Sequence, residues 1–365
     1  VVERIRARGP ITVAEFMELA LYHPEHGYYA SKPQRSGRAG DFFTSVDVGP
    51  LFGELVAAQL DEMWAVLRAH GAAACDLVEA GAGNGRLTRD ILDAARARYP
   101  SLYDALRVTL VERSARARAR QEATLAQHLD RIAATTDAIP ARIEGVLVAN
   151  ELLDAMPTHV VVMRAGTLRE VHVAERDGEL YEIERTLSDP RIGAQLARVG
   201  ASLDDGWRAE VNLAATAWTR AAAGAVDGGF LLLFDYGHPA AELYSALHAS
   251  GTLMSYRGHV ADPHAWLENP GTRDLTTHVD LTAIEIAARE GGMTPLGAVD
   301  QTYFVAALGI ADRLDDGADP ASVRRRLAAK TLLVPGALGS TMKVMGFGKG
   351  VGRPRLRGLS SGRLT

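Results

Sequence analysis

Glu79-Ala80-Gly81-Ala82-Gly83-Asn84-Gly85-Arg86 sets a carboxylate at the end of an apolar run, then glycines at three alternate positions, then a helical pattern over 87–98. Glycine permits a left-handed backbone and lets a ligand come close to the main chain. The helix start beyond it presents backbone N–H groups to an electron-rich ligand. A dinucleotide site would want glycine at the sixth position of the turn, for close packing beside a pyrophosphate. Arg86 stands there instead. Gly81, Gly83 and Gly85 therefore fit a cofactor without a pyrophosphate, and the ligand inferred is S-adenosylmethionine. Its ribose hydroxyls need a carboxylate acceptor, for which Glu112, ending the apolar run 108–111, is suitably placed. Glu79 could accept from the cofactor's ammonium group, directly or through water. The structural alternatives are that Glu79 holds the turn itself and that Glu112 pairs with Arg113 or Arg116.

A second constellation is Asn150-Glu151-Leu152-Leu153-Asp154-Ala155-Met156-Pro157, which closes the apolar run 145–149. Methyl transfer depends on holding two reactants in line more than on acid–base strength. A guanidinium acceptor is the demanding case, since its pKa exceeds about 12 and the cation is a poor nucleophile. Carboxylates that grip it and localise its charge would help. Glu151 and Asp154 offer such a pair, although Asn150 and Asp154 could simply cap a helix. Asp235-Tyr236-Gly237-His238 ends another apolar strand and is read as substrate-binding through Asp235, Tyr236 and His238, with a capping turn as its alternative. His278 could orient an acceptor or sit as a buried, satisfied imidazole. His238, His259, His264 and His278 show no HxxxH or HxH spacing and no cysteine partner, so no metal is expected.

These residues need a scaffold that brings strand ends together. Continuous apolar strands alternating with helices argue a parallel sheet covered on both faces, and ligands in such sheets sit beyond the carboxyl ends of the strands. Ahead of the sheet, 9–22 reads as a short helix with the Thr12–Glu15 spacing of a capping box. Residues 31–39 read as a mobile polar loop, and 50–67 as an amphipathic helix. From 158 the period changes to that of an antiparallel meander with turns at Ala165-Gly166 and Asp177-Gly178. The expected division is an N-terminal helical, cofactor-covering region 1–70, a first core part 71–157, an insertion of antiparallel strands and helices 158–228, the rest of the core 229–345, and a glycine- and arginine-rich tail 346–365 without order.

Composition narrows the classes. The chain has 365 residues, 47% of them apolar, with a net charge of −5 and Cys75 as its one cysteine. An intrachain disulfide is excluded and thiolate zinc clusters are disfavoured. Neither nucleic-acid binding nor a membrane span is indicated. No signal or transit peptide is evident at 1–6, which leads to the expectation of a cytoplasmic, bacterial-looking protein.

With these residues in hand, the chain resembles the MidA-like family of S-adenosylmethionine-dependent methyltransferases, whose mitochondrial members are assembly factors of respiratory complex I. The resemblance rests on Gly9–Met17, His26–Tyr29, Gly40–Ser45, Phe52–Glu54, Glu79–Gly85, Asn150–Pro157, Asp235–His238, Pro270–Asp280 and Gln301–Phe304, in order along the chain. It implies a Rossmann-like class I methyltransferase core within an α/β fold, an extra N-terminal helical region and an inserted α+β substrate-side region. It also implies that the loop carrying Asp41, Phe42, Thr44 and Ser45 helps cover the cofactor, with Asn150 beside it. The mitochondrial relatives symmetrically dimethylate an arginine of a complex I subunit, so a protein substrate is the expected partner, and a homodimer is compatible with the reading. The rival readings are methylation of a small molecule and a cofactor-binding assembly chaperone with little catalysis.

Overall fold

The computed structural model describes residues 1–31, 44–334, 338–360 and 364. They form two compact units, each built from separated stretches of chain. The larger comprises Thr44–Leu152, Arg220–Asp235 and Ala288–Thr365; the other comprises Val1–Phe43, Leu153–Thr219 and Tyr236–Ala287.

The larger unit is a Rossmann-like sheet. Its strands are β1 (Cys75–Ala80), β2 (Leu106–Val111), β3 (Ile132–Thr136), β4 (Ile143–Asn150), β5 (Val226–His238, of which Val226–Asp235 belong here), β6 (Thr294–Asp300) and β7 (Met342–Lys349). Hydrogen-bonded neighbours run β6-β7-β5-β4-β1-β2-β3. Strands β5, β4, β1, β2 and β3 are parallel, and β6 is antiparallel to β7. The chain moves outward through β2 and β3, then returns to β4 on the other side of β1, which makes the β1–β4 boundary the switch point at which such sheets bind ligands. Val146, Leu147 and Val148 are all buried, as expected of a strand covered on both faces. Register aligns the strand ends: Ala80 lies opposite Val111 and Ala149, and Asn150 opposite Phe234. At the other end of the strands the main chains crowd together. A Cβ on Gly145 would lie 2.1 Å from the Asp76 carbonyl oxygen, and one on Gly229 would lie 1.9 Å from that of Gly145.

Helix α1 (Leu51–Ala69) belongs to this unit, and not to an N-terminal region ending at 70. Its Phe52 meets Phe234 edge to face, and Phe234 meets Phe304 in the same way, both at 5.2 Å between ring centres. Its Glu54 takes Arg325 through two bonds of 2.8 and 2.5 Å.

The expectation of a tail without order from 346 is also corrected. Strand β7 runs to Lys349 and pairs with β6, and Arg357–Ser360 is a short helix. The glycines there answer to packing: a Cβ on Gly346 would lie 2.1 Å from a methyl of Leu359. Lys343 of β7 is buried and donates to Asp300 Oδ1 at 2.7 Å and to the Ser340 carbonyl at 2.8 Å.

The second unit contains an antiparallel sheet in the order Ile11–Thr12, Thr167–Arg176, His159–Arg164, Arg208–Val211, with Glu179–Arg185 also paired to Thr167–Arg176. The two hairpins turn through Ala165-Gly166 and Asp177-Gly178, all four residues in left-handed conformation as tight two-residue turns require. Helix Val13–Tyr22 starts where Thr12 Oγ1 accepts from the Glu15 N–H at 3.1 Å. Only half of the capping box forms, since the Glu15 carboxylate pairs with Arg4. Phe16, Met17 and Leu21 pack with Val160, Val162, Val171, Val173 and Trp266. The N-terminal segment thus shares a core with the 158–212 meander, and is not a region of its own. Among the described residues no helix is long and apolar enough to cross a membrane.

Replacing Lys343 by Met strands the Asp300 carboxylate in the interior without its cation. We expect a loss of about 3–5 kcal/mol, read as a lower urea midpoint at unchanged slope. Adding Asp300→Asn should recover part of it.

Candidate active site

The glycine turn follows β1. Gly81, Gly83 and Gly85 have φ of 74°, 53° and 84°, a left-handed series that side chains disfavour. The Gly81 and Ala82 N–H groups donate to the Val111 carbonyl at 2.9 and 3.1 Å, and Gln121 Nε2 donates to the Gly83 carbonyl at 2.8 Å. Two carboxylates hold the turn from beneath. Glu79 Oε2 accepts from the N–H of Thr88 at 3.1 Å and from its hydroxyl, which fastens the strand end to the first turn of helix α2 (Arg86–Arg98). Burial pushes the Glu79 carboxyl up to about 7, against these bonds. Glu112 accepts from Gly83 N–H at 2.9 Å through one oxygen and from Ser114 N–H at 2.7 Å through the other. The turn-holding alternative for Glu79 is thus what its bonds describe, and Glu112 does the same work from the next strand. A carboxylate has about four lone-pair sites, so Glu112 retains acceptor capacity for ribose hydroxyls. The turn suits a cofactor pressed against the main chain, because a Cβ on Gly83 would meet no atom within 4 Å.

The next strand end toward the sheet centre carries Asn150 and Glu151. Glu151 is a non-glycine residue at φ 50°, its N–H donating to the Phe234 carbonyl at 2.8 Å. Such conformations cost energy and gather at functional sites. Its Oε1 accepts from the Ser45 N–H and from Asn150 Nδ2, both at 3.1 Å. The residue as a whole keeps some exposure, yet its carboxyl lies deep, and burial raises its pKa to about 8, with the charges of Asp235 and Asp47 adding to the shift. Buried Asp235 is bound through Oδ2 to the Leu152 N–H at 3.2 Å.

Thr44 and Ser45 lie on a segment tied down at several points. Thr44 donates to Asp47 Oδ2 from its N–H at 3.1 Å and its hydroxyl at 2.9 Å. Arg86 pairs with Asp47 Oδ1 at 2.7 Å and donates to the Val46 carbonyl at 3.0 Å. Ser45 Oγ donates to Gln301 at 2.9 Å, and Gln301 donates to the Leu338 carbonyl at 3.2 Å. Sequence reasoning misses Asp47 and Gln301. Thr44-x-x-Asp47 has a capping-type spacing that could mark Asp47, and Gln301 is marked only as the first residue of the Gln301–Phe304 motif of the family resemblance. Arg86, informative in the sequence only for excluding a dinucleotide, anchors this segment. Asp41, Phe42 and the polar loop before them lie outside the described residues.

Asp154, Tyr236, His238 and His278 belong to the second unit. The segment 153–156 is fastened by its carbonyls: Tyr22 donates to Ala155 at 3.0 Å, Asn212 to Leu153 and Met156 at 3.2 Å each, and the Thr277 N–H to Asp154 at 2.9 Å. Asp154 is buried there and its charge acts on Tyr256. His238 and His278 lie with ring centres 5.1 Å apart, and His248 joins them. The expectation of no metal rests on sequence spacing, which carries no trace of this grouping across ten and thirty residues.

The chain matches the family of S-adenosyl-L-methionine-dependent methyltransferases over residues 55–299. It is 30% identical over 361 residues to the mitochondrial protein arginine methyltransferase NDUFAF7 of Mus musculus, covering 91% of this chain and 79% of the mouse protein. Against its counterpart in Danio rerio it is 31% identical over 339 residues, covering 85% and 76%. A superfamily member from Burkholderia thailandensis, crystallised with S-adenosyl-homocysteine bound, superposes with a TM-score of 0.88 at 31% identity, covering 98% of this chain and 92% of that one. The cytoplasmic expectation is overturned by the animal relatives, which are named as mitochondrial proteins. A sheet whose switch point carries this glycine turn, together with similarity along most of the chain, makes the protein an S-adenosylmethionine-dependent methyltransferase belonging to the MidA-like family.

Proposed function

We propose that this methyltransferase acts on the guanidinium group of an arginine in a protein substrate, with Glu151 as the carboxylate that receives it. The observation that carries the reading is the Glu151 carboxyl: deep, held by two donors on one oxygen, and tuned to about 8 by burial. The names of the animal relatives, protein arginine methyltransferases, support the acceptor class. S-adenosylmethionine supplies an electrophilic methyl group on a sulfonium and leaves as the neutral thioether. When the N–CH3 bond forms, one guanidinium proton must leave. A carboxylate paired with the guanidinium localises its charge and can accept that proton. Ser45 and Asn150 fix the direction of Glu151, while Glu79 and Glu112 keep the glycine turn in shape. Asp154 is proposed from the motif as a second acceptor carboxylate.

Labelled methyl transfer into the protein fraction of a lysate from a deletion strain, followed by mass spectrometry for methylarginine, tests the acceptor class. Label confined to the small-molecule pool would overturn the protein reading. Glu151→Gln should lower kcat/KM by about 10²-fold or more, with S-adenosylmethionine affinity, read by calorimetry, little changed.

Protons should report the same group. A carboxyl raised from 4.5 to about 8 is mostly neutral at pH 7, and a cationic ligand beside it favours the charged form. Binding an arginine peptide at pH 7 should release close to one proton in the wild type, measured across buffers of different ionisation enthalpy, and none in Glu151→Gln. Because the folded value lies above the unfolded one, the contribution of Glu151 to stability is full below pH 4.5 and is lost as pH rises toward 8. Glu79 adds a slope of the same sign up to about pH 7. Glu151→Gln should therefore flatten, without abolishing, the fall in melting temperature over that range.

A further inference from the structure

We propose that His238, His248 and His278 form a binding site for a divalent transition-metal ion of the imidazole-preferring class, of which Zn2+ is the type. The three come from separate segments of one unit: the end of β5, the turn Ala246–His248, and the residue before the strand Val279–Asp280, which pairs with Gly237–His238. Each offers a ring nitrogen within 4.8 Å of those of the other two, and all three residues are half-buried. Their ring centres are 4.8, 5.1 and 5.9 Å apart. Three imidazoles bound tetrahedrally at about 2.0–2.1 Å would have ring centres roughly 5 Å apart and ligating nitrogens about 3.4 Å apart. The rings already stand at that spacing, and small rotations bring the nitrogens in.

The surroundings supply the outer support such ligands use. Glu242 Oε1 lies 2.8 Å from His238 Nδ1, and the Glu242 backbone carbonyl lies 3.1 Å from His248 Nδ1. With its proton on Nδ1, His248 is oriented by that carbonyl and leaves Nε2 as a ligand, while the Glu242 carboxylate lies beside the His238 ring as in the carboxylate–histidine–metal arrangement. His278 is positioned through its backbone, whose N–H donates to Thr252 Oγ1 at 3.0 Å. Three neutral nitrogen donors suit Zn2+, Co2+ or Ni2+, and do not suit Mg2+ or Ca2+, which demand oxygen. A bound ion would cross-link the β5 end, the turn at 246–248 and the strand at 279–280. His238 and His278 would then serve as ligands and not as the substrate-directed groups read from the sequence.

The test uses the full chain without a histidine tag, stripped with a chelator and assayed without S-adenosylmethionine, so its outcome is independent of the acceptor proposed above. Titration with Co2+ should give the intense visible bands of a four- or five-coordinate site at one equivalent, and Zn2+ should abolish them. Competition against a chromogenic chelator should show Zn2+ affinity about 100-fold weaker in His248→Asn and at least about 10-fold weaker in Glu242→Gln. Exposed His264→Asn should leave it unchanged. Absence of stoichiometric binding by the wild-type protein would overturn the proposal. So would undiminished affinity in His248→Asn, with circular dichroism verifying that the variant is folded.

Discussion

The register of the parallel strands governs the catalytic end of this molecule. With Ala80 opposite Val111 and Ala149, and Asn150 opposite Phe234, strands β1, β2 and β4 end within a residue of one level and β5 crosses that level at Phe234, so the loops after the first three share one edge. A shift of one residue would send each side chain to the opposite face of the sheet and would also separate Glu112 from Gly83 and Glu151 from the Phe234 carbonyl. Those contacts link a strand end to its neighbour's loop, so the geometry of the site and the pairing of the sheet are one constraint.

Carboxylates at this edge divide into two kinds by the backbone that carries them. Glu79 and Glu112 accept backbone N–H groups and stabilise main chain that glycine alone would leave loose. Glu151 accepts through one oxygen, on a backbone held in an unfavourable conformation. Burial raises both, to about 7 at Glu79, where the Thr88 bonds oppose it, and to about 8 at Glu151, where those of Ser45 and Asn150 oppose it. A turn-supporting acid and the acid proposed to receive the acceptor thus arise from the same residue type at similar depth.

Much of this is legible in the sequence. Continuous apolar runs ending in Glu79, Glu112 and Asn150 identify parallel strands because burial on both faces leaves no alternation. The meander from 158 is legible for the opposite reason. Glycine is the ambiguous letter: at 81, 83 and 85 it marks a turn, while at 346 and 348 it marks close packing, which composition alone reads as disorder. Contacts between distant residues leave little trace. Arg86 with Asp47 and Ser45 with Gln301 depend on tertiary placement, and His238, His248 and His278 are separated by ten and thirty residues, far from any local ligand motif.

The glycines at the entry end of the sheet carry a consequence for how this sequence can drift. At Gly145 and Gly229 the obstacle to any side chain is the carbonyl of the adjoining strand, at 2.1 and 1.9 Å from where a Cβ would be. Side-chain obstacles can be cleared by a second substitution, as when Leu359 shortens to admit a methyl at Gly346; a main-chain obstacle has no compensating mutation. The apolar middle of β4 can exchange Val, Leu and Ile among themselves at modest cost. These two positions instead hold their residue on every path that keeps the sheet, so the least decorated part of the strand is also its least negotiable in descent.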